Sequence, residues 1–193
     1  MPGKSRSPVL HLVVCGTGAA AELAPFITAC QNLCWQVHVI TTPEAAARED
    51  HARLADLTRH PVRPDERAEA LHPLPPADAF AVAPASFDLV NKWAYGFNDS
   101  LALRLLNEAT AVGLPVVAVP APEPALARHP AFAESLERLR HWGVIVTAPA
   151  VGHPGPWEAA ARVVSTWTRF ARVPTQPTAE RASDAEDLAT QPG

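Results

Sequence analysis

The run Ala79-Phe80-Ala81-Val82-Ala83 is apolar at every position. A strand sends successive side chains to opposite faces, so a strand without alternation must be covered on both of them. The rest of the chain is patterned to supply that cover. Strand-like apolar runs at 9 to 15 (VLHLVVC), 36 to 40 (QVHVI), 114 to 119 (LPVVAV) and 144 to 146 (VIV) alternate with helical stretches. The helices are expected from about Ala19 to Leu33, from Pro43 to about Leu57, from Ser86 to Ala111, from Pro130 to His141 and from Trp157 to Phe170. Pro61-Val62-Arg63 adds a candidate short strand. Pro84 is expected to end the 79 to 83 strand, with Ser86 and Asp88 supplying N-cap oxygens to the helix behind it. This rhythm predicts a doubly wound α/β domain: a parallel sheet, helices on both faces and right-handed crossovers.

At 193 residues the chain suits one well-buried domain. We expect a flexible N-terminus over 1 to 8, a domain over 9 to 173, and a disordered tail over 174 to 193, where large apolar residues give out. The formal net charge of −4, with both signs interspersed, points to neither nucleic acid nor an anionic membrane as partner. No segment approaches the roughly 20 apolar residues of a membrane span, and the apolar run after the N-terminal basic residues meets Gly16 rather than a cleavage signal. A cytoplasmic location is expected. The three cysteines all fall at or before Cys34, too few for a disulfide framework. Cys30 and Cys34, at i and i+4, read as reduced helix residues rather than a metal site.

In a sheet of this kind ligands sit at the carboxyl ends of the strands, here the turns at Gly16, Thr41, Pro84 and Pro120. The turn Gly16-Thr17-Gly18 can bring backbone N–H groups and a helix dipole to a phosphate. Its third glycine position is Ala21, and no acidic residue ends the second strand to hold a ribose, which counts against a dinucleotide enzyme. Thr42 either contacts a ligand or caps the next helix.

The stretch from Ala83 to Ala102, APASFDLVNKWAYGFNDSLA, resembles the PASANT motif of the homo-oligomeric flavin-containing cysteine decarboxylases, the family of phosphopantothenoylcysteine decarboxylase and the lantibiotic peptidyl-cysteine decarboxylases. Pro84, Ala85 and Ser86 fall on the start of the motif, Lys92 and Gly96 recur downstream, and Asp99 falls on the acidic residue of Gly-x-x-Asp-Asn. The resemblance implies a Rossmann-like, flavodoxin-like fold and a bound flavin, FMN with FAD as the alternative. It implies cofactor contacts from Gly16, Thr17, Gly18, Thr42, Pro84, Ala85, Ser86 and Asp88. It also implies a homotrimer or an assembly of trimers, and a small-molecule or peptide cysteine as substrate. His72, in ALHPLPPADAF, is similar to the histidine of the family's Leu-His-Ile-x-Leu and would be the catalytic base beside Asp88; a loop histidine among prolines fits the same residues.

Three departures qualify the resemblance. Asp88 and Leu89 replace the motif's Asn-Thr, and Ser100 replaces the second Asn of Gly-x-x-Asp-Asn. Glu123, in PAPEPALARHP, replaces the Asn that holds the substrate carboxylate in the family, and two facing carboxylates repel. The flap cysteine of phosphopantothenoylcysteine decarboxylases has no counterpart in TAPAVGHPGPWEAA. Oxidative decarboxylation to an enethiol and flavin binding without decarboxylation are therefore both expected readings.

Overall fold

The computed structural model describes residues 6–15, 19–47, 49–64, 73–147 and 156–170. Six strands form one sheet: β1 (Val9–Val14), β2 (Gln36–Thr41), β3 (Arg63–Pro64), β4 (Ala79–Ala85), β5 (Val116–Pro120) and β6 (Ile145–Val146). Every described pairing is parallel, in the order β3-β2-β1-β4-β5-β6. Without the two-residue edge strand β3, the order read along the remaining strands is 2-1-3-4-5, the flavodoxin-like arrangement. The chain runs outward from β1 to β3, returns to β4 beside β1, and continues outward to β6. The order thus reverses between β1 and β4, and their carboxyl ends border the crevice where such sheets bind ligands.

Both faces of the sheet are covered. On one side α1 (Ala19–Asn32), α3 (His51–Thr58) and α7 (Pro156–Phe170) pack on Leu10, Leu12 and Val14 of β1, Val37 and Val39 of β2, and Ala79, Ala81 and Ala83 of β4. On the other, α4 (Phe87–Ala94), α5 (Leu101–Ala111) and α6 (Pro130–His141) pack on Val13, Phe80, Val82, Val116 and Ala118. Along β4 the small Ala79, Ala81 and Ala83 face the α1 and α7 side, while the larger Phe80 and Val82 fill the other. This is the doubly wound sheet that the unalternating apolar run demands.

Several boundaries differ from the sequence expectation, each for a local reason. Pro84 does not end β4. Between Val82 and Ala85 the strand takes three steps while β5 takes two, from Ala118 to Pro120. This β-bulge carries the strand through the cis Ala83–Pro84 peptide and turns Ala85 to the same face as Phe80 and Val82. The helix expected over Ser86 to Ala111 is two helices. Gly96, at φ +72°, ends α4: its N–H bonds the Trp93 carbonyl at 2.9 Å, and the Phe97 N–H bonds that of Lys92 at 3.0 Å. Ser100 then starts α5, its side chain accepting from the Leu103 N–H at 3.1 Å. The helix expected after Pro43 is likewise split, into α2 (Pro43–Ala46) and α3, because Asp50 caps a new start by accepting from the Arg53 N–H. Cys30 lies in α1, but Cys34 sits beyond it in a left-handed turn at φ 68°, and the three cysteines form no disulfide. The tail over 174 to 193 lies outside the described residues.

Candidate functional site

Four of the sequence-predicted site residues, Gly16, Thr17, Gly18 and His72, lie outside the described residues. The others gather at the carboxyl edge of the sheet. Thr42 follows β2, with its N–H bonded to the Val14 carbonyl of β1 at 3.0 Å, so the two strand ends are held side by side. Pro84 and Ala85 close β4, tied to β1 by the Cys15 N–H on the Pro84 carbonyl and to the chain after β5 by the Ala121 N–H on the Ala85 carbonyl. Ser86 caps α4, its hydroxyl oxygen accepting from the Leu89 N–H at 3.2 Å. Thr42 caps α2 more loosely, at 3.4 Å from the Ala45 N–H. Each capping oxygen accepts a bond, so each hydroxyl proton remains to be donated.

A cleft of about 250 Å³ opens between these turns. Thr42 and Glu44 form one wall, Ser86, Asp88 and Lys92 of the α4 segment the opposite one, and Asp99 and Ser100 close the end, over Leu89 and Leu103. Lys92 is the centre of its charge pattern. Its Nζ lies 3.2 Å from Asp88 one turn earlier and 3.2 Å from Asp99 across the break between α4 and α5. The carboxylates of Asp99 and Asp88 hold the Lys92 ammonium above its ordinary pKa. Asp88 was expected to share the cap of α4; Ser86 alone makes that bond, and the Asp88 carboxylate turns to Lys92 instead.

Glu44, Lys92, Asp99 and Ser100 were not predicted as site residues. The i, i+4 spacing of Asp88 and Lys92 was readable as a helix-surface ion pair. Contact with Asp99 was not, since it depends on the helix break at Gly96. Glu123 stands exposed in the turn after β5, where its carbonyl accepts from Leu126 and Ala127, and it does not line the cleft. His129 caps α6, with Nδ1 accepting from the Ala131 N–H at 3.2 Å. Trp93 is fully buried and donates from Nε1 to Thr110, whereas Tyr95 is half exposed beneath the Arg138 guanidinium.

Removing the Ser86 cap leaves the α4 start one acceptor short. Ser86→Ala is expected to cost about 1 kcal/mol, lowering Tm by roughly 2–4 °C in a domain of this size. A scanning-calorimetry comparison with Ser86→Asp, which keeps an acceptor, checks this; equal losses in both variants would refute the capping account.

A doubly wound parallel sheet with a hydroxyl-lined cleft at its strand ends defines a class of ligand-binding α/β proteins. Within it, the flavoprotein family model matches residues 2–170, and the chain belongs to that family. Solved structures agree on the fold. The FMN-dependent cysteine decarboxylase SpaF is similar at a TM-score of 0.72 and 21% identity, over 87% of this chain and 99% of that one. HAL3 from Cryptococcus neoformans is similar at 0.67 and 23% identity, over 84% and 97%. A PPC decarboxylase mutant complexed with pantothenoylaminoethenethiol is similar at 0.63 and 19% identity, over 86% and 98%. No curated protein sequence matches the chain. Among the described residues no helix is long and apolar enough to cross a membrane, and no cluster of His, Cys, Asp or Glu is arranged to hold a metal.

Proposed function

We propose that the protein binds FMN at the carboxyl edge of the sheet and catalyses the oxidative decarboxylation of a cysteine-containing substrate to an enethiol. The observation that carries this is the convergence of the motif residues Ser86, Asp88 and Lys92 with Thr42 on one cleft at the switch point of the sheet. The lining suits a flavin: hydroxyl protons on Thr42 and Ser86 can meet polar ring or phosphate oxygens, and Leu89 and Leu103 offer apolar contact. FMN would supply the two-electron oxidation, returning to its oxidised form with dioxygen. The protein holds and positions. Ser86 and Asp88 orient the ring and substrate, Gly16, Thr17 and Gly18 take the phosphate, and His72 accepts the thiol proton. The stretch TAPAVGHPGPWEAA has no cysteine at the place of the family's flap thiol to return reducing equivalents, which favours release of the enethiol over a saturated product. The assembly is a homotrimer or a multiple of it.

Two observations favour a second reading, a flavin-binding protein without decarboxylase activity. Asp88 is committed to an ion pair with Lys92, and Glu123, at the family's carboxylate-binding position, brings a negative charge outside the cleft. The tests separate the two. Purified protein is expected to carry a flavin absorption spectrum and to release FMN on heating. Thr17→Asp, which sets a carboxylate against the phosphate, is expected to weaken FMN binding at least about 100-fold, given roughly 1.5–3 kcal/mol for a charged hydrogen bond plus the repulsion. A colourless protein that takes up no added FMN overturns both readings. Flavin bound, with cysteine-ended peptides that never lose carbon dioxide and two hydrogens by mass spectrometry, selects the second.

A further inference from the structure

Three histidines meet where β1 and β2 run side by side, on the face of the sheet away from α1 and α7. His11 and His38 are register partners in the two strands, with ring centroids 6.1 Å apart. His60, just past α3, stacks on His38 at 4.0 Å and 20°, and Phe80 of β4 closes edge-on against His11 at 5.1 Å. His11 and His38 are only 3% and 8% exposed. The Nε2 of His11 lies 3.0 Å from the Pro75 carbonyl. That bond needs the proton on Nε2 and leaves Nδ1 a bare acceptor. This Nδ1 is buried with no partner, and so is the Nε2 of His38. Stacked, buried imidazoles with unpartnered nitrogens tolerate the neutral form and have nowhere to send the N–H of a charged one.

We infer that the His11–His38–His60 cluster is a proton-sensitive lock, which holds β1, β2 and the 73–78 segment together at neutral pH and loosens under mild acid. Among the described residues the charges bearing on it are few. His11 and His60 face His38 from β1 and from the chain after α3. Asp78, before β4, faces His11, but its carboxylate also accepts from the Val9 N–H at 2.7 Å and pairs with Arg6 at 2.6 Å. Arg63 of β3 sits beside Ile40, two residues along from His38. Among the described residues no carboxylate bears on His38 to neutralise its charged form.

Burial, above all, holds His11 below its ordinary range, and burial with the neighbouring histidines pushes His38 down to about 4. In the unfolded chain each returns to about 6.5. The unfolded state therefore binds more protons between these values. The stability that the neutral cluster provides is complete above pH about 6.5 and is lost as pH falls toward about 4. β1 leads into Gly16-Thr17-Gly18 and β2 into Thr42, so the lock lies beneath the strand ends that carry the cleft. The inference does not depend on the ligand bound there.

The experiment is urea unfolding of the full chain at a series of pH values between about 7.5 and 4.5, with His38→Phe, which keeps a ring on His60, and His60→Phe, at the less buried ring of the stack. The wild-type folding constant is expected to fall about tenfold per pH unit for each extra proton taken up on unfolding, and His38→Phe to flatten the profile by about one proton. Superimposable profiles for wild type and both variants would overturn the lock. If His38→Phe does not fold, NMR titration of the wild-type imidazole C–H signals decides: a His38 midpoint near 4 supports it, and one at or above 6.5 overturns it.

Discussion

Trp93→Ala is expected to lower the stability of the domain by about 3–5 kcal/mol, the range for removing a buried aromatic ring from a close-packed core. Trp93 is fully buried in the cluster that joins α4, α5 and α6 to the sheet. Its Nε1 donates to Thr110 at 3.2 Å, linking α4 to α5 across the break at Gly96. A loss of this size is a large part of the 5–15 kcal/mol that holds most domains together. Because α4 carries Asp88 and Lys92 while the chain entering α5 carries Asp99 and Ser100, the α4 wall of the cleft should separate from its closed end before the sheet unfolds. Denaturant unfolding measures the loss. Trp93→Phe keeps most of the packing and gives up only the donor, and Thr110 still donates to the Leu106 carbonyl at 2.7 Å, so it should cost roughly 1–2 kcal/mol, from the lost hydrogen bond and a small void. A loss below about 1 kcal/mol for the Ala variant would contradict the packing described.

Asp88→Asn is expected to raise the reduction potential of bound flavin, and Lys92→Met to lower it. In the native cleft Lys92 offsets one of its two carboxylate partners, leaving an excess of one negative charge from that trio, with Glu44 opposite. Asn at 88 leaves the pair Lys92–Asp99. Met at 92 leaves two carboxylates facing a site that gains negative charge on reduction. One charge at about 10 Å and an effective dielectric near 20 is worth roughly 1.7 kcal/mol, or about 35 mV in a two-electron couple. Asp88 is 73% exposed on its side chain, so solvent and salt bring the expected shift down to about 10–20 mV at physiological ionic strength. Spectroelectrochemical titration of the three proteins checks the opposite signs. Equal potentials in all three, with flavin retained, would place these charges away from the ring. The stability of the same variants should change by less than about 1 kcal/mol, since exposed ion pairs hold little.

The sheet was legible because its signal is local. Ala79 to Ala83 needs cover on two faces whatever surrounds it, and β1, β2, β5 and β6 each lie on or within two residues of an apolar run that announces them, whereas the edge strand β3 has only Val62 beside it. The stop at Gly96 and the new cap at Ser100 were equally present in the sequence. Apolar spacing through Phe97 and Leu101 hid them, because a period of 3.6 continues across a short break without losing phase. The candidate site was legible as a place, the strand ends and the α4 start, since a doubly wound sheet binds there by construction. Its charge pattern was not. That Lys92 joins Asp88 to Asp99, that Glu123 stands apart, and that Ala85 turns to the face of Phe80 through a bulge are facts about how two helices and two strands are set against each other. The meeting of His11, His38 and His60 is of the same kind. Each histidine alone reads as an ordinary residue on or beside a strand; parallel register brought two of them together, and the chain leaving α3 laid the third on His38. Periodicity and propensity act between near neighbours in the chain and so determine elements, whereas buried polar contacts are made between segments far apart in it, and only the packed tertiary structure decides those.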